Sequence, residues 1–373
     1  MANVPFAFYS SRMTQGESIL PGQRLRARGA DSNRAGRFEG AGREAFYDGW
    51  DIPEEDRLVA TEVRLERPRS AITYNRSPDL PFDRSINPYR GCEHGCVYCY
   101  ARPSHAFLNL SPGLDFETRL IARPGIAEVL ATELRRPAYR AQTIAIGTNT
   151  DPYQPVERGH GTMRQLLGVL SDFHHPVWIT TRGTLIERDI DLIAPMAARG
   201  LAAVSVSVTT LDEGLARKME PRAPAPKRRL AMIRALSAAG IPVRIQISPL
   251  IPALTDHELE AVMQAGHDAG ARFANSIPLR LPQEVSQLFR QWLETTLPDR
   301  AARVMGRVRE LHGGRDYDPS FGTRMRGQGL WADLIHRRAD MARKRLGLGD
   351  GMPDLRTDLF KVPPKAGDQL SLF

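Results

Sequence analysis

The chain has 373 residues, 42% hydrophobic and 25% charged, enough to bury a sizeable core as one large domain or two smaller ones. No run reaches the 18 apolar residues of a bilayer span, and MANVPFAFYSSRMTQG lacks the basic start and apolar core of a signal peptide, so the expected place is the cytoplasm. The formal net charge is +8, and all but five of the 51 basic residues are arginine, the side chain suited to planar recognition of phosphate and carboxylate; codon bias toward Ala, Pro, Gly and Arg is the plainer alternative.

Residues 1–84 read as an N-terminal arm, partly disordered, because GQRLRARGADSNRAGRFEGAGRE has neither helical nor strand period. Short strand-like runs follow at Leu58–Leu65 and Ala71–Tyr74. From residue 85 to 284 apolar runs alternate with helical segments. The predicted strands are Ile86–Arg90, Thr143–Thr148, Val177–Thr181, Ala203–Thr209, Val243–Leu250 and Phe273–Leu279. The predicted helices between them are Ile126–Arg135, Arg164–Phe173, Glu187–Ala198 and Arg228–Ala239. Thr255 and Glu258 read as a capping box for a helix carrying Leu259, Val262 and Met263. Pro249 and Pro252 are expected to end the fifth strand.

Strand alternating with helix implies parallel pairing with right-handed crossovers. Six such units are too few for an eight-stranded closure and predict an α/β, partial (β/α)6 TIM-type barrel. In barrels, chemistry gathers at the C-terminal strand ends. Residues 285–360 read as a helical C-terminal region, with Val285–Thr296, Ala301–Leu311 and Leu330–Leu346 as helices. Residues 361–373 read as a flexible tail.

The three cysteines fall in one short segment, NPYRGCEHGCVYCYARPSH. Three so close together do not make a disulfide framework, and soft thiolates suit iron–sulfur clusters or zinc. Zinc with His94 or His105 as fourth ligand is the structural alternative, making the chain a non-enzymatic zinc-binding nucleic-acid module. Structural zinc usually joins two separated ligand pairs, which one loop does not offer.

Cys92-x3-Cys96-x-Tyr98-Cys99, with an aromatic before the last cysteine and a βα pattern after it, resembles the signature of the radical S-adenosylmethionine (SAM) superfamily. The run Arg90–His105 is similar to its spore photoproduct lyase-like branch. The resemblance implies a [4Fe–4S] cluster on Cys92, Cys96 and Cys99, with SAM on the open iron. One-electron reduction would then yield methionine and a 5′-deoxyadenosyl radical. It also implies a reductant such as flavodoxin or ferredoxin, and it places Tyr98 near the adenine, unless that ring merely packs the loop. His94 and Arg102 are candidates for tuning the cluster.

The second strand ends in GTNTDPYQPVE, where the family binds the methionine amino group, often through a Gly-Gly-Glu run. This chain departs from that run and offers Asn149, Thr150 and Asp151 as acceptors, or simply a turn. Ser207, Thr209 and Arg222 are candidates for ribose and carboxylate contacts, Arg222 through a bidentate pair. Thr181, Arg182, Gln246 and Ser248 are further pocket candidates. The lyase of this branch uses an additional cysteine as hydrogen donor, and this chain has no fourth cysteine. Tyr100 and Tyr153 are the expected replacements if the reaction is alike.

The chain ends in Gln369-Leu370-Ser371-Leu372-Phe373, which resembles the short peptide by which bacterial repair proteins dock on the DNA sliding clamp. With the arginine excess this predicts DNA as the target, in repair or modification. The alternative targets are RNA, a protein or a small metabolite.

Overall fold

The computed structural model describes residues 28–30, 32–33, 35–39 and 59–364. The terminal peptide Gln369–Phe373 and most of the expected arm lie outside the described residues.

Six parallel strands form the centre: β1 (Arg84–Ile86), β2 (Ile144–Ile146), β3 (Val177–Thr181), β4 (Ala202–Ser207), β5 (Val243–Leu250) and β6 (Phe273–Pro278). They pair in sequence order, β1 through β6. The sheet ends at Thr73–Tyr74, antiparallel to β1, and at Gly349–Asp350, parallel to β6. These two strands are not paired with each other, so the barrel stays open as expected for six units.

The helices cover the outer face. They are α1 (Ile126–Leu134), α2 (Thr162–Asp172), α3 (Ile190–Ala198), α4 (Pro226–Ala238) and α5 (Leu259–Asp268). Met163, Leu166, Leu167 and Leu170 of α2 recur at helical spacing and are fully buried. They meet Val177, Ile179, Val204 and Val206, the outward-facing alternate residues of β3 and β4. Each such aliphatic side chain contributes about 1.5–3 kcal/mol on burial. The opposite parity, Thr180, Ser207, Gln246 and Ser248, turns toward the cavity described below.

Two expectations at the strand and helix ends need correction. The first strand is split: Arg84–Ile86 joins the main sheet, and after Pro88 the pair Tyr89–Arg90 joins a second sheet. Pro88 has no N–H to continue a ladder. The partner there, Arg119–Ala122, is a strand that also pairs parallel with Glu62–Leu65. Strand β5 ends at Leu250, between Pro249 and Pro252 as expected, and Pro249 sits where the β5–β6 register slips between Ser276 and Pro278, a place that needs no ladder donor. Thr255 does not cap α5. Its hydroxyl accepts from the Ile251 amide at 2.9 Å, and the Glu258 carboxylate instead takes the Thr210 hydroxyl.

The C-terminal helices α6 (Glu284–Thr296), α7 (Pro298–Leu311) and α8 (Leu330–Leu346) complete the fold. Phe289, Trp292 and Leu293 of α6 and Val304 and Val308 of α7 form a second core with Val97, Tyr98 and Met219. This packs the cysteine loop from one side. From another side comes part of the expected arm: Gly29 and Ala30 donate their amides to the Glu117 carboxylate at 2.9 and 2.8 Å. A Cβ on Gly29 would stand 1.6 Å from the Gly95 carbonyl oxygen, so only glycine permits that approach. These residues are buried, not loose. Among the described residues no helix is long and apolar enough to cross a membrane.

Candidate active site

The cysteine loop runs out of Tyr89–Arg90 and is fixed by atoms from distant parts of the chain. Cys92 N donates to Phe116 O at 2.8 Å and Val97 N to Met219 O at 3.1 Å. Gln154 clasps the start of the loop, accepting from Glu93 N at 2.8 Å and donating to Gly91 O at 3.1 Å. Arg102 lies beneath, wholly buried, and donates to the carbonyls of Cys96, Pro112 and Gly113 and to Glu117. Arg102 therefore holds the loop; its donors point at backbone and Glu117.

Cys92, Cys96 and Cys99 are free thiols and face one cavity of about 100 Å3 that opens to solvent. The wall opposite is built from strand ends: Gly147, Asn149, Thr150 and Asp151 after β2, Thr180, Thr181 and Arg182 at β3, Ser207 at β4, Gln246, Ser248 and Pro249 on β5, and Pro278 and Arg280 at β6. Gly147 has φ of +88°, and a Cβ there would meet the Thr180 carbonyl oxygen at 1.9 Å, so the β2 end bends tightly against β3. The cavity lies where parallel strands end, the place where barrels gather their chemistry.

Several expected residues converge on this cavity. Tyr98 is buried in its wall, with its hydroxyl on Glu220. Asn149 lines the cavity with its side chain uncommitted among the described residues. Thr150 lines it too, but its hydroxyl donates to Tyr89 O at 2.9 Å. Asp151 is engaged on both oxygens: Tyr153 N at 2.9 Å and Thr181 Oγ1 at 2.6 Å reach Oδ1, and Arg182 N at 2.8 Å reaches Oδ2. His94 Nδ1 lies 3.4 Å from Oδ2. Burial alone would push this carboxyl up; the neighbouring His94 and the hydrogen bonds from Thr181 and the Arg182 amide outweigh it and hold it at about 2. Asp151 thus ties β2 to β3 and to the loop. Tyr100 lines the mouth, donates to Thr148 O, and carries the Arg280 guanidinium 4.5 Å above its ring.

Other expected residues do not reach the cavity. Tyr153 is buried in the helix-side core with its hydroxyl 3.2 Å from Asp189 Oδ2, so it offers no hydrogen atom there. Thr209 lies beyond the end of β4 and donates to Glu220 Oε1 at 3.1 Å. Arg222 is spent on Glu93 Oε1 at 3.0 Å and is not part of the lining. His105, a proposed zinc ligand, bonds Arg119 O at 2.9 Å behind the loop.

Two residues were absent from the expectation. Arg280 lies just past β6, outside any motif. Glu220 is a buried carboxylate in MEPRAP, and its partners come from four segments: Tyr98, Arg182, Thr209 and Arg229. Burial would raise it, yet the charges of Arg229 and Arg182 and the hydrogen bonds from Arg229 and Tyr98 bring it down to about 2. An apolar-to-acidic switch immediately after a short helix was the one available hint.

Comparison with known proteins follows the same lines. The family model described as Radical SAM superfamily matches residues 86–265. Uncharacterized proteins of Mycobacterium tuberculosis and Mycobacterium bovis are each 39% identical over 272 residues, 72% of this chain and 77% of theirs. An uncharacterized protein of Methanocaldococcus jannaschii is 25% identical over 173 residues, 46% of this chain and 62% of that one. The chain belongs to the radical SAM superfamily, whose cofactors are a [4Fe–4S] cluster and SAM. Among solved structures it is similar to spore photoproduct lyase complexed with dinucleoside spore photoproduct, with TM-score 0.58 and 13% identity, covering 77% of this chain and 80% of that one. A variant of that lyase with bound AdoMet and the same dinucleoside gives TM-score 0.57 at 13% identity and the same coverage. At this identity the likeness is one of fold.

The donor set fits the cluster. Burial pushes the Cys92 thiol up and the Cys96 thiol up to about 12. Sulfurs so placed become thiolates by sharing their charge with a cation, which metal ligation provides. Three of them on one loop would hold a four-iron cluster and leave one iron without a protein ligand.

Proposed function

We propose that this protein cleaves SAM reductively in the cysteine-lined cavity and directs the product radical at DNA. The carrying observation is that all three thiols face a single cavity whose opposite wall is made of the C-terminal ends of β2 to β6. When bound, the cluster supplies one electron to the sulfonium, giving methionine and a 5′-deoxyadenosyl radical.

The chain's own residues orient and shield. Asn149 offers an amide oxygen to the cationic methionine amine, while Asp151 keeps that strand end in register with β3. Ser207, Gln246 and Ser248 line the wall with hydroxyl and amide groups for the ribose and adenine. Tyr98 closes one side with an apolar ring whose polar end is satisfied by Glu220. Tyr100 brings a phenol to the mouth, the place for a hydrogen donor in a chain with no fourth cysteine.

DNA as the target is supported by the net charge of +8, by the Arg280–Tyr100 stack at the mouth, suited to a flat base near phosphate, and by the fold shared with a lyase solved with a dinucleoside photoproduct. The peptide Gln369–Phe373 agrees with a DNA-bound partner, the sliding clamp, and a flavodoxin or ferredoxin would supply the electron.

The test is anaerobic reconstitution with iron and sulfide, followed by dithionite and SAM. Release of 5′-deoxyadenosine is expected, and it should rise when ultraviolet-damaged or modified DNA is added. A colourless protein that binds one zinc and releases none would end the proposal. Release indifferent to every DNA would move the target to RNA, protein or metabolite. Deleting Gln369–Phe373 should abolish binding to an immobilised clamp; unchanged binding would remove that partner.

A further inference from the structure

The guanidinium of Arg182 joins three pieces of chain at one point. Its Nη1 lies 2.7 Å from Cys96 Sγ, 3.1 Å from Tyr98 Oη and 3.0 Å from Glu220 Oε1. Arg182 follows β3, Cys96 sits on the loop after Tyr89–Arg90, and Glu220 follows the short helix Glu213–Met219. The other carboxylate oxygen of Glu220 takes the guanidinium of Arg229, which is itself buried and also donates to Ser207 O at 3.1 Å.

Two guanidiniums share the single carboxylate of Glu220. Asp151, close by, is already occupied by the Thr181 hydroxyl, by the amide of Arg182 and by His94 beside it. Arg182 therefore has no carboxylate of its own for its guanidinium, in a water-poor place where an unsatisfied charged donor is costly. Its guanidinium is directed at the sulfur of a cluster ligand. Three thiolates leave an oxidised four-iron cluster anionic, and one-electron reduction adds a further negative charge. Both a hydrogen bond to sulfur and a nearby cation favour the more negative state.

We propose that Arg182 is a positioning residue for redox: through the contact of its charged guanidinium with Cys96 Sγ, held in place by Glu220, it makes a cluster on the cysteine loop easier to reduce. This rests on the reading of the cysteine loop as a four-iron site. It assigns Arg182 a role toward the electron, separate from any contact with SAM.

The experiment uses the full chain, anaerobically reconstituted, without SAM. Wild type, Arg182→Gln, Arg182→Lys and Glu220→Gln are titrated electrochemically, and the reduced cluster is followed by electron paramagnetic resonance. Iron and sulfide content are measured first. Arg182→Gln should lower the reduced-to-oxidised ratio at fixed potential about tenfold, a drop of about 59 mV for a one-electron couple. Arg182→Lys should recover part of it. Glu220→Gln, which removes the opposing negative charge, should shift the potential the other way. Opposite signs for the two glutamine variants cannot come from a general loosening of the loop. If the wild type takes up no four-iron cluster, the underlying reading fails. If wild type and variants fill equally and share one midpoint, the role of Arg182 alone is overturned. Should Arg182→Gln not fill, the lysine and Glu220 variants still decide the sign, and no shift in either overturns it.

Discussion

Arg102 and Glu117 form a fully buried ion pair, Nη2 to Oε1 at 2.5 Å, directly beneath the cysteine loop. Glu117 is held on its other side by the amides of Gly29 and Ala30, so one carboxylate joins the N-terminal segment to the loop. Removing one partner leaves the other as a buried charge without its counter-ion, which costs about 3–5 kcal/mol. Arg102→Met also frees the carbonyls of Cys96, Pro112 and Gly113. The expected outcome is a large fall in urea midpoint together with weaker iron retention. A variant with wild-type stability would mean that the pair does not hold the loop.

The two tyrosines named as hydrogen donors should behave differently. Tyr100 lines the cavity mouth, whereas Tyr153 donates to Asp189 in the core. Tyr100→Phe should leave SAM cleavage in place but uncouple it, so that 5′-deoxyadenosine accumulates in excess over repaired or modified DNA. Tyr153→Phe should cost about 1–3 kcal/mol of stability, the penalty for a buried acceptor losing a donor. Its ratio of 5′-deoxyadenosine to DNA product should stay that of the wild type. Quantifying both products for the two variants by liquid chromatography separates these outcomes, and uncoupling by Tyr153→Phe alone would reverse the assignment.

The cysteines should be needed for the cluster more than for the fold. Val97, Tyr98 and the Gln154 clasp fix the loop without using any sulfur. Single Cys→Ala variants at positions 92, 96 and 99 should therefore keep the wild-type circular dichroism, lose the absorbance near 400 nm and release no 5′-deoxyadenosine. A variant that stays brown and active would show that its sulfur is not a ligand.

Much of this arrangement is legible in the sequence, for identifiable reasons. The six strands announce themselves because β-branched runs such as VWITT and AVSVSV alternate with helical segments, and the parity of Ser205, Ser207, Gln246 and Ser248 follows from the pleat. The cavity is then placed by the rule that parallel strands carry chemistry at their C-terminal ends. What the sequence does not disclose is direction and distant pairing. Thr209 and Arg222 lie close to the motif in sequence, but the chain has left the strand there, and each side chain turns to a carboxylate, Glu220 or Glu93. Tyr153 stands two residues after Asp151 and faces the helices. The strand Arg119–Ala122 is four residues without a period of its own, and its two partners, Glu62–Leu65 and Tyr89–Arg90, lie far from it in sequence. Glu220 gains its role only when Arg182 and Arg229 are folded against it.

Stability should fall in mild acid through His175, away from the cavity. Its imidazole is fully buried, bonded through Nδ1 to Pro176 O at 3.0 Å and through Nε2 to Tyr139 Oη at 2.7 Å, with Phe360 packed edge-on at 5.6 Å. A carbonyl can only accept, so Nδ1 carries the proton and Nε2 accepts from the tyrosine, which fixes the neutral form. Burial pushes this histidine down to about 4, against an unfolded value of about 6.5. Between those values the unfolded chain binds a proton that the folded chain refuses. The contribution is therefore intact above about pH 6.5 and declines toward pH 4, by at most about 1.4 kcal/mol per pH unit. His175→Gln removes the titration, so the difference in urea midpoint between wild type and variant should narrow or invert as the pH falls from 7 to 4.5. A difference constant across that range would mean that His175 accepts its proton equally well in both states.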